Sequence, residues 1–189
     1  MRFPGCIRLA ATILAVALAG ALPALGQLSH DFMPKGGKSL FIDVFAAKPD
    51  QATIAEITGA GRSEADWAGD LKARKTGLED KQLRTLAAYL AINMPLAKES
   101  VEAAVRAGDI APALPPDGRE LAWNQCQPCH SLFAGYLSQD RDLEGWRNTF
   151  HTPFHRELSL SEQEREEFAR YSAINMPMKF EDVPEDLRF

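Results

Sequence analysis

Cys126 and Cys129 stand with two residues between them, and an imidazole follows at once in the run Cys126-Gln127-Pro128-Cys129-His130. Two thiols at that spacing admit three chemistries. A zinc site would use both sulfurs but needs two further Cys or His ligands. A redox dithiol would form and break an internal disulfide, and that use belongs to a βαβ setting. The third is covalent attachment of a c-type haem. There each sulfur forms a thioether to one vinyl group, and the imidazole of the next residue binds the iron from one face. The two intervening residues set the distance between the thioethers. The remaining cysteine, Cys6, lies in a stretch read below as a cleaved leader, and the flanks of the pentad read as helical. The pentad therefore points to one permanently fixed redox cofactor, haem c, on Cys126 and Cys129 with His130 as the proximal axial ligand.

The chain opens with the pattern of an export signal. Arg2 and Arg8 form a basic start, and residues 9–22 are almost wholly Ala, Leu, Ile and Val. Ala24-Leu25-Gly26 offers small residues where a signal peptidase reads, so residues 1–26 are expected to be removed before Gln27. Ala19-Gly20-Ala21 is a second candidate cleavage site, and an uncleaved anchor is the alternative. A spanning helix needs about 20 apolar residues. Pro23 ends this run early, and no later stretch could cross a bilayer. Cys6 lies ahead of the apolar core, not at its end where a lipidated cysteine sits. Haem c is assembled outside the bacterial inner membrane, so a periplasmic address agrees with the pentad.

Charge narrows the partners. The leader takes Arg2 and Arg8 from the 21 basic residues and none of the 26 acidic ones, which leaves 19 against 26, or −7. That balance argues against nucleic acid and anionic membrane. It favours a periplasmic redox protein or dehydrogenase subunit that presents a basic patch, with encounter rates that fall as salt rises.

The sequence also repeats. Residues 78–106 align without gaps to residues 160–188, with 11 of 29 pairs identical, including Ala91-Ile92-Asn93-Met94-Pro95 against Ala173-Ile174-Asn175-Met176-Pro177. Upstream, a shift of 79 pairs Trp67 with Trp146 and Arg62 with Arg141, and lays residues 47–51 on the pentad with only the proline matching. A period near 80 in two copies fits a tandem pair of domains better than a solenoid. The expected division is a leader at 1–26, a first copy without haem-attaching residues at 27–108, a linker at 109–116 and a second copy at 117–189. Pro112, Pro115 and Pro116 give the linker its extended character.

Helices must position the pentad. Residues 79–92 carry Leu83, Leu86, Ala87, Leu90 and Ala91, the stripe of an amphipathic helix. The matching helix in the second copy starts at Ser161 as N-cap, with Glu162 and Glu164 in its first turn. Pro95 and Pro177 end both. Asp117 caps a helix to Asn124, and residues 143–150 form a short one around Trp146. No run alternates as a strand would. Trp67, Trp146, Tyr89 and Tyr171 read as core aromatics, His30 as surface, and the acidic run 162–167 as a solvated face.

On those residues, 117–176 resembles the monohaem class I cytochrome c domain. That family runs from an N-terminal helix into Cys-x-x-Cys-His, then a middle helix, then a C-terminal helix with a buried aromatic that crosses the first. The resemblance implies an all-α fold of tandem cytochrome c-like domains, only the C-terminal one with haem. It covers the second half directly and the first only through the repeat. The family takes its sixth ligand, a methionine, from between the middle and C-terminal helices. Residues 151–159 hold no methionine there but two histidines, His151 and His155. Met176 and Met178 come after the C-terminal helix, and Met94 recurs at the position of Met176 in the copy without the pentad. The sixth ligand is therefore open between His155 or His151, Met176 or Met178, and no side chain at all.

Three functional classes follow. The resemblance implies electron transfer, either as a soluble carrier or as the cytochrome subunit of a periplasmic dehydrogenase. A haem-free domain beside a haem domain is an extra binding surface and leans toward the subunit. A haem-based sensor or peroxidase-like enzyme with an open distal site is the alternative, and a single haem argues against a dihaem peroxidase.

Overall fold

Every regular element is helical, and no strand occurs among the described residues of the computed structural model, which are 29–46 and 50–189. Residues 1–28, which include Cys6 and the stretch expected to be an export signal, and residues 47–49 lie outside them. In chain order the helices are α1 (Gly37–Phe41), continued by a π-helical turn at Ile42–Ala46, then α2 (Gln51–Gly59), α3 (Glu64–Ala73), α4 (Asp80–Asn93), α5 (Lys98–Ala107), α6 (Gly118–Cys126), α7 (Leu143–Thr149) and α8 (Glu162–Asn175). A second π-helical turn, Phe133–Leu137, follows α6. None of these helices is long and apolar enough to cross a membrane.

The starts of the helices are written in their caps. Asp50, Ser63, Asp117, Asp142 and Ser161 each accept a backbone N–H of the first turn. Glu79 with Gln82, Asp117 with Glu120 and Ser161 with Glu164 close reciprocal capping boxes. Gly108, at φ 77°, supplies the left-handed residue that stops α5.

The buried side chains form two clusters. In the first, α1 and α3 pack on α4 around Phe41, Trp67, Leu86 and Tyr89. In the second, α6 and α7 pack on α8 around Leu121, Tyr136, Trp146 and Phe168. Close approach of the first helix of each half rests on glycine. A Cβ added at Gly37 would fall 2.1 Å from Cβ of Tyr89, and one at Gly118 would fall 2.1 Å from Cβ of Tyr171.

These contacts put α1 and α6 in register by 81 positions, so Phe45, not Ala47, stands opposite Cys126. The shift of 79 holds further on. Leu96 N–H donates to Thr58 O at 2.8 Å as Met178 N–H does to Leu137 O at 2.7 Å. The guanidinium of Arg62 likewise lies over Trp67 as that of Arg141 lies over Trp146.

α4 also packs on α8, and their contacts come in reciprocal pairs. Asn93 Nδ2 donates to Glu167 at 3.3 Å and Asn175 Nδ2 to Thr85 Oγ1 at 3.0 Å. Tyr89 donates to Pro115 O and Tyr171 to Pro34 O. The segments before α1 and α6 are exchanged in the same way. Met33 is buried in the second cluster, whereas Ile110 and Leu114 are buried in the first. Residues 109–116 are thus a packed strap rather than a free tether, because their apolar side chains have a groove to fill.

The acidic run at the start of α8 is not uniformly solvated. Glu167 is buried and accepts from Gly118 N–H at 3.1 Å as well as from Asn93. Its helical position faces α4, a partner that no periodicity within one helix reveals.

Candidate cofactor-binding site

Cys126 is the last residue of α6, so the pentad begins where helical hydrogen bonding ends. The chain then turns through residues 127–132 into the π-helical turn, which brings Gly135 under the ring of His130. A Cβ at Gly135 would lie 2.1 Å from His130 Nδ1, so the imidazole occupies the space a side chain would need. Cys126, Cys129 and His130 line one wall of a 520 Å³ cavity, a size suited to a cofactor. Its other walls are largely apolar, formed by Tyr136, Trp146, Phe150, Leu158, Leu160 and Phe168.

The four candidate distal side chains separate, and Met178, partly buried against the second core, does not line the cavity. His155 lines the cavity, with its ring centroid 6.3 Å from that of His130. That spacing is compatible with one metal ion between the two rings, since a metal–imidazole bond is about 2 Å in protein sites and the ring radii supply the rest. His151 is exposed, lies outside the cavity lining and bonds Asn148 Oδ1 at 3.2 Å. Met176 is buried in the second core at the C-cap of α8, as Met94 is buried at the end of α4, and does not line the cavity.

The tautomers of both cavity histidines follow from their partners. His130 Nδ1 meets Ser131 O at 3.2 Å, and a carbonyl only accepts, so Nδ1 carries the proton. The Thr152 hydroxyl donates to Thr149 O at 2.7 Å, so at 3.0 Å from His155 Nδ1 it is left to accept. In the neutral form of each ring the proton then sits on Nδ1 and Nε2 is the metal-binding nitrogen.

Two polar groups in the wall fit an anionic, apolar cofactor. Trp146 Nε1 is buried with no hydrogen-bond partner, but so is Trp67 Nε1 at the matching place in the first half, so only the arginine distinguishes the two halves. Arg141 bonds Thr149 Oγ1 at 3.0 Å and Gln139 Oε1 at 3.2 Å, and no carboxylate pairs with it among the described residues. The first half differs at the same place. Arg62 there pairs with Glu56 at 3.4 Å and Asp70 at 3.3 Å, residues that correspond to Gly135 and Thr149. Its positive charge is spent internally, whereas that of Arg141 faces the cavity. The residues present fit haem: the pentad, an apolar slot, two imidazoles on the cavity and a cation without a carboxylate partner among the described residues.

The alternative chemistries fit less well. Among the described residues no group of three or more His, Cys, Asp or Glu side chains is arranged to hold a metal ion, as a zinc site would need. A redox dithiol belongs to a βαβ setting, and the pentad here follows a helix with no strand among the described residues, while burial, with Cys129 beside it, pushes the Cys126 thiol up to about 12. The sequence marked the pentad and the two loop histidines but not Arg141 or Thr152. The pairing of Arg62 with Arg141 was visible in the repeat; what distinguishes them, the lost carboxylates, appears only once Gly135 and Thr149 are seen beside Arg141. Comparison with family models, curated proteins and solved structures finds no match for the chain.

Proposed function

We propose that the chain is an electron-transfer protein that holds one haem c on Cys126 and Cys129, with His130 as proximal and His155 as distal ligand. The reading is carried by one conjunction: the pentad shares an apolar cavity with a second imidazole whose Nε2 is free. When bound, the group supplies a one-electron iron couple. The protein's own residues do the rest. The two thiols would anchor the group, His130 and His155 would offer Nε2 to its metal, and Arg141 would pair with acidic substituents. Phe150, Leu158 and Phe168 keep water from the centre, and burial of this kind tunes potential.

The chain is further read as two copies of a cytochrome c-like domain, the first without haem. The reciprocal contacts of α4 and α8 support this, and Phe45 opposite Cys126 accounts for the missing attachment. An exported, periplasmic setting agrees with the leader pattern and with where haem c is assembled. The role fits a soluble carrier or the cytochrome subunit of a dehydrogenase, and the partner presents a basic patch. Co-purification from the native source separates these, a stoichiometric large subunit marking the second. His155 across from His130 weighs against the open distal side that a sensor or peroxidase-like enzyme needs.

The test is chemical. Mass spectrometry and haem staining of a denaturing gel are expected to show one retained haem on a chain that starts near Gln27. Replacing Cys126 and Cys129 together by Ala abolishes covalent haem. Acid-extractable haem in the native protein, or two haems per chain, would overturn the proposal.

A further inference from the structure

We infer that Thr152 is the positioning residue that makes His155 a ligand. The inference rests on the haem reading above and assigns a role that neither the pentad nor the choice of distal side chain contains. The loop that carries His155 is exposed, and an imidazole on such a loop has free choice of rotamer and tautomer unless something removes it. Here the choice is removed in sequence. Thr149 O, at the last residue of α7, accepts the Thr152 hydroxyl proton at 2.7 Å. The Thr152 oxygen is thereby turned toward Nδ1 of His155, three residues on, at 3.0 Å.

The loop backbone holds the pair in place. Arg156 N–H donates to Thr152 O at 3.1 Å, and His155 begins a 3₁₀ turn that runs to Glu157. From α8, Arg165 donates to the carbonyls of Arg156, Leu158 and Leu160. The chain Thr149 O, Thr152 Oγ1, His155 Nδ1 thus passes the orientation of α7 to the ring and leaves Nε2 without a proton. Residues that orient a ligating histidine through its other nitrogen commonly carry a 10–100-fold share of metal affinity.

The test uses the full haem-bearing chain and four variants. Wild type is expected to be six-coordinate and low-spin in the ferric state by EPR and optical spectra. His155→Ala becomes high-spin. Thr152→Val keeps the shape but cannot accept from Nδ1, so it shows a new high-spin fraction and binds cyanide at least about tenfold faster, because His155 must leave the iron first. Thr152→Ser restores both readouts, and His151→Ala leaves them unchanged. Nitrogen-15 spectra of the haem-free full-length chain add a readout without iron: His155 carries its proton on Nδ1 in wild type, and Thr152→Val moves it to Nε2. A haem-bearing Thr152→Val protein with wild-type spin state and cyanide rate overturns the role of Thr152 alone. A His155→Ala protein that stays low-spin overturns the distal assignment on which that role depends, and a chain with no covalent haem overturns the proposed function itself.

Discussion

Glu167 combines a full burial with hydrogen bonds from Gly118 N–H and Asn93 Nδ2, and the two effects oppose each other. Burial wins, helped by the nearby charge of Asp117, and pushes its carboxyl up to about 8. Asp117 itself is raised, mainly by burial, while Arg170 pulls Glu167 the other way. A carboxyl that titrates higher in the folded chain than in the unfolded one favours folding in its protonated form. The stabilisation is full below the unfolded value near 4.5 and is lost as pH rises toward 8. Urea midpoints of the wild type should therefore fall from pH 5 to pH 8, by on the order of a few kcal/mol in stability. Glu167→Gln should flatten most of that slope, and an unchanged slope in the variant would refute the assignment. Sequence placed Glu167 among solvated acids because Glu162, Glu164 and Glu166 surround it; only the packing of α4 on α8 makes it different. The pentad can be read from sequence for the opposite reason, since the chemistry proposed for it depends on neighbours in the chain.

Helices α4 and α8 were legible to within a residue at their starts, because an apolar stripe, a cap and a closing Met-Pro were all local signals. The two straps were not. Residues 109–116 have the prolines of a linker, yet Leu114 is only 4 % exposed and Ile110 5 %, both in the core of the half they were expected merely to leave. Nothing local distinguishes a proline-rich tether from a proline-rich strap, since the difference is a groove contributed by residues far away in sequence. Leu114→Ala should consequently cost about 2–5 kcal/mol, the range for a buried leucine. Hydrogen exchange should show the lost protection in α1 and α4, outside the half where the pentad sits. A neutral result in urea denaturation would show the strap to be loosely held. The same reasoning applies to Gly118, where even a methyl group would drive α6 off Tyr171.

Across the whole molecule the negative charge is one-sided. Residues 27–108 hold 11 basic and 11 acidic side chains, whereas residues 109–189 hold 8 and 15, so the −7 belongs entirely to the half with the cavity. Electron exchange with a partner that presents a basic patch should slow as ionic strength rises toward 0.1 M, where screening acts over about 10 Å. Neutralising Glu181, Asp182, Glu185 and Asp186, which are all exposed, should flatten the salt dependence in stopped-flow traces, and neutralising acids of the first half should not. A salt slope carried by the first half would move the docking surface there. The exchanged straps have a consequence for how such a chain is made. Met33 belongs to a core whose last pieces, Val183 and Leu187, are synthesised about 150 residues later, and the first core waits for Leu114. The first core can close once residue 114 is present, whereas the second joins the two ends of the described residues. The closure of such distant contacts slows folding, and the strap that carries Met33 has no groove until residues 121–187 have packed.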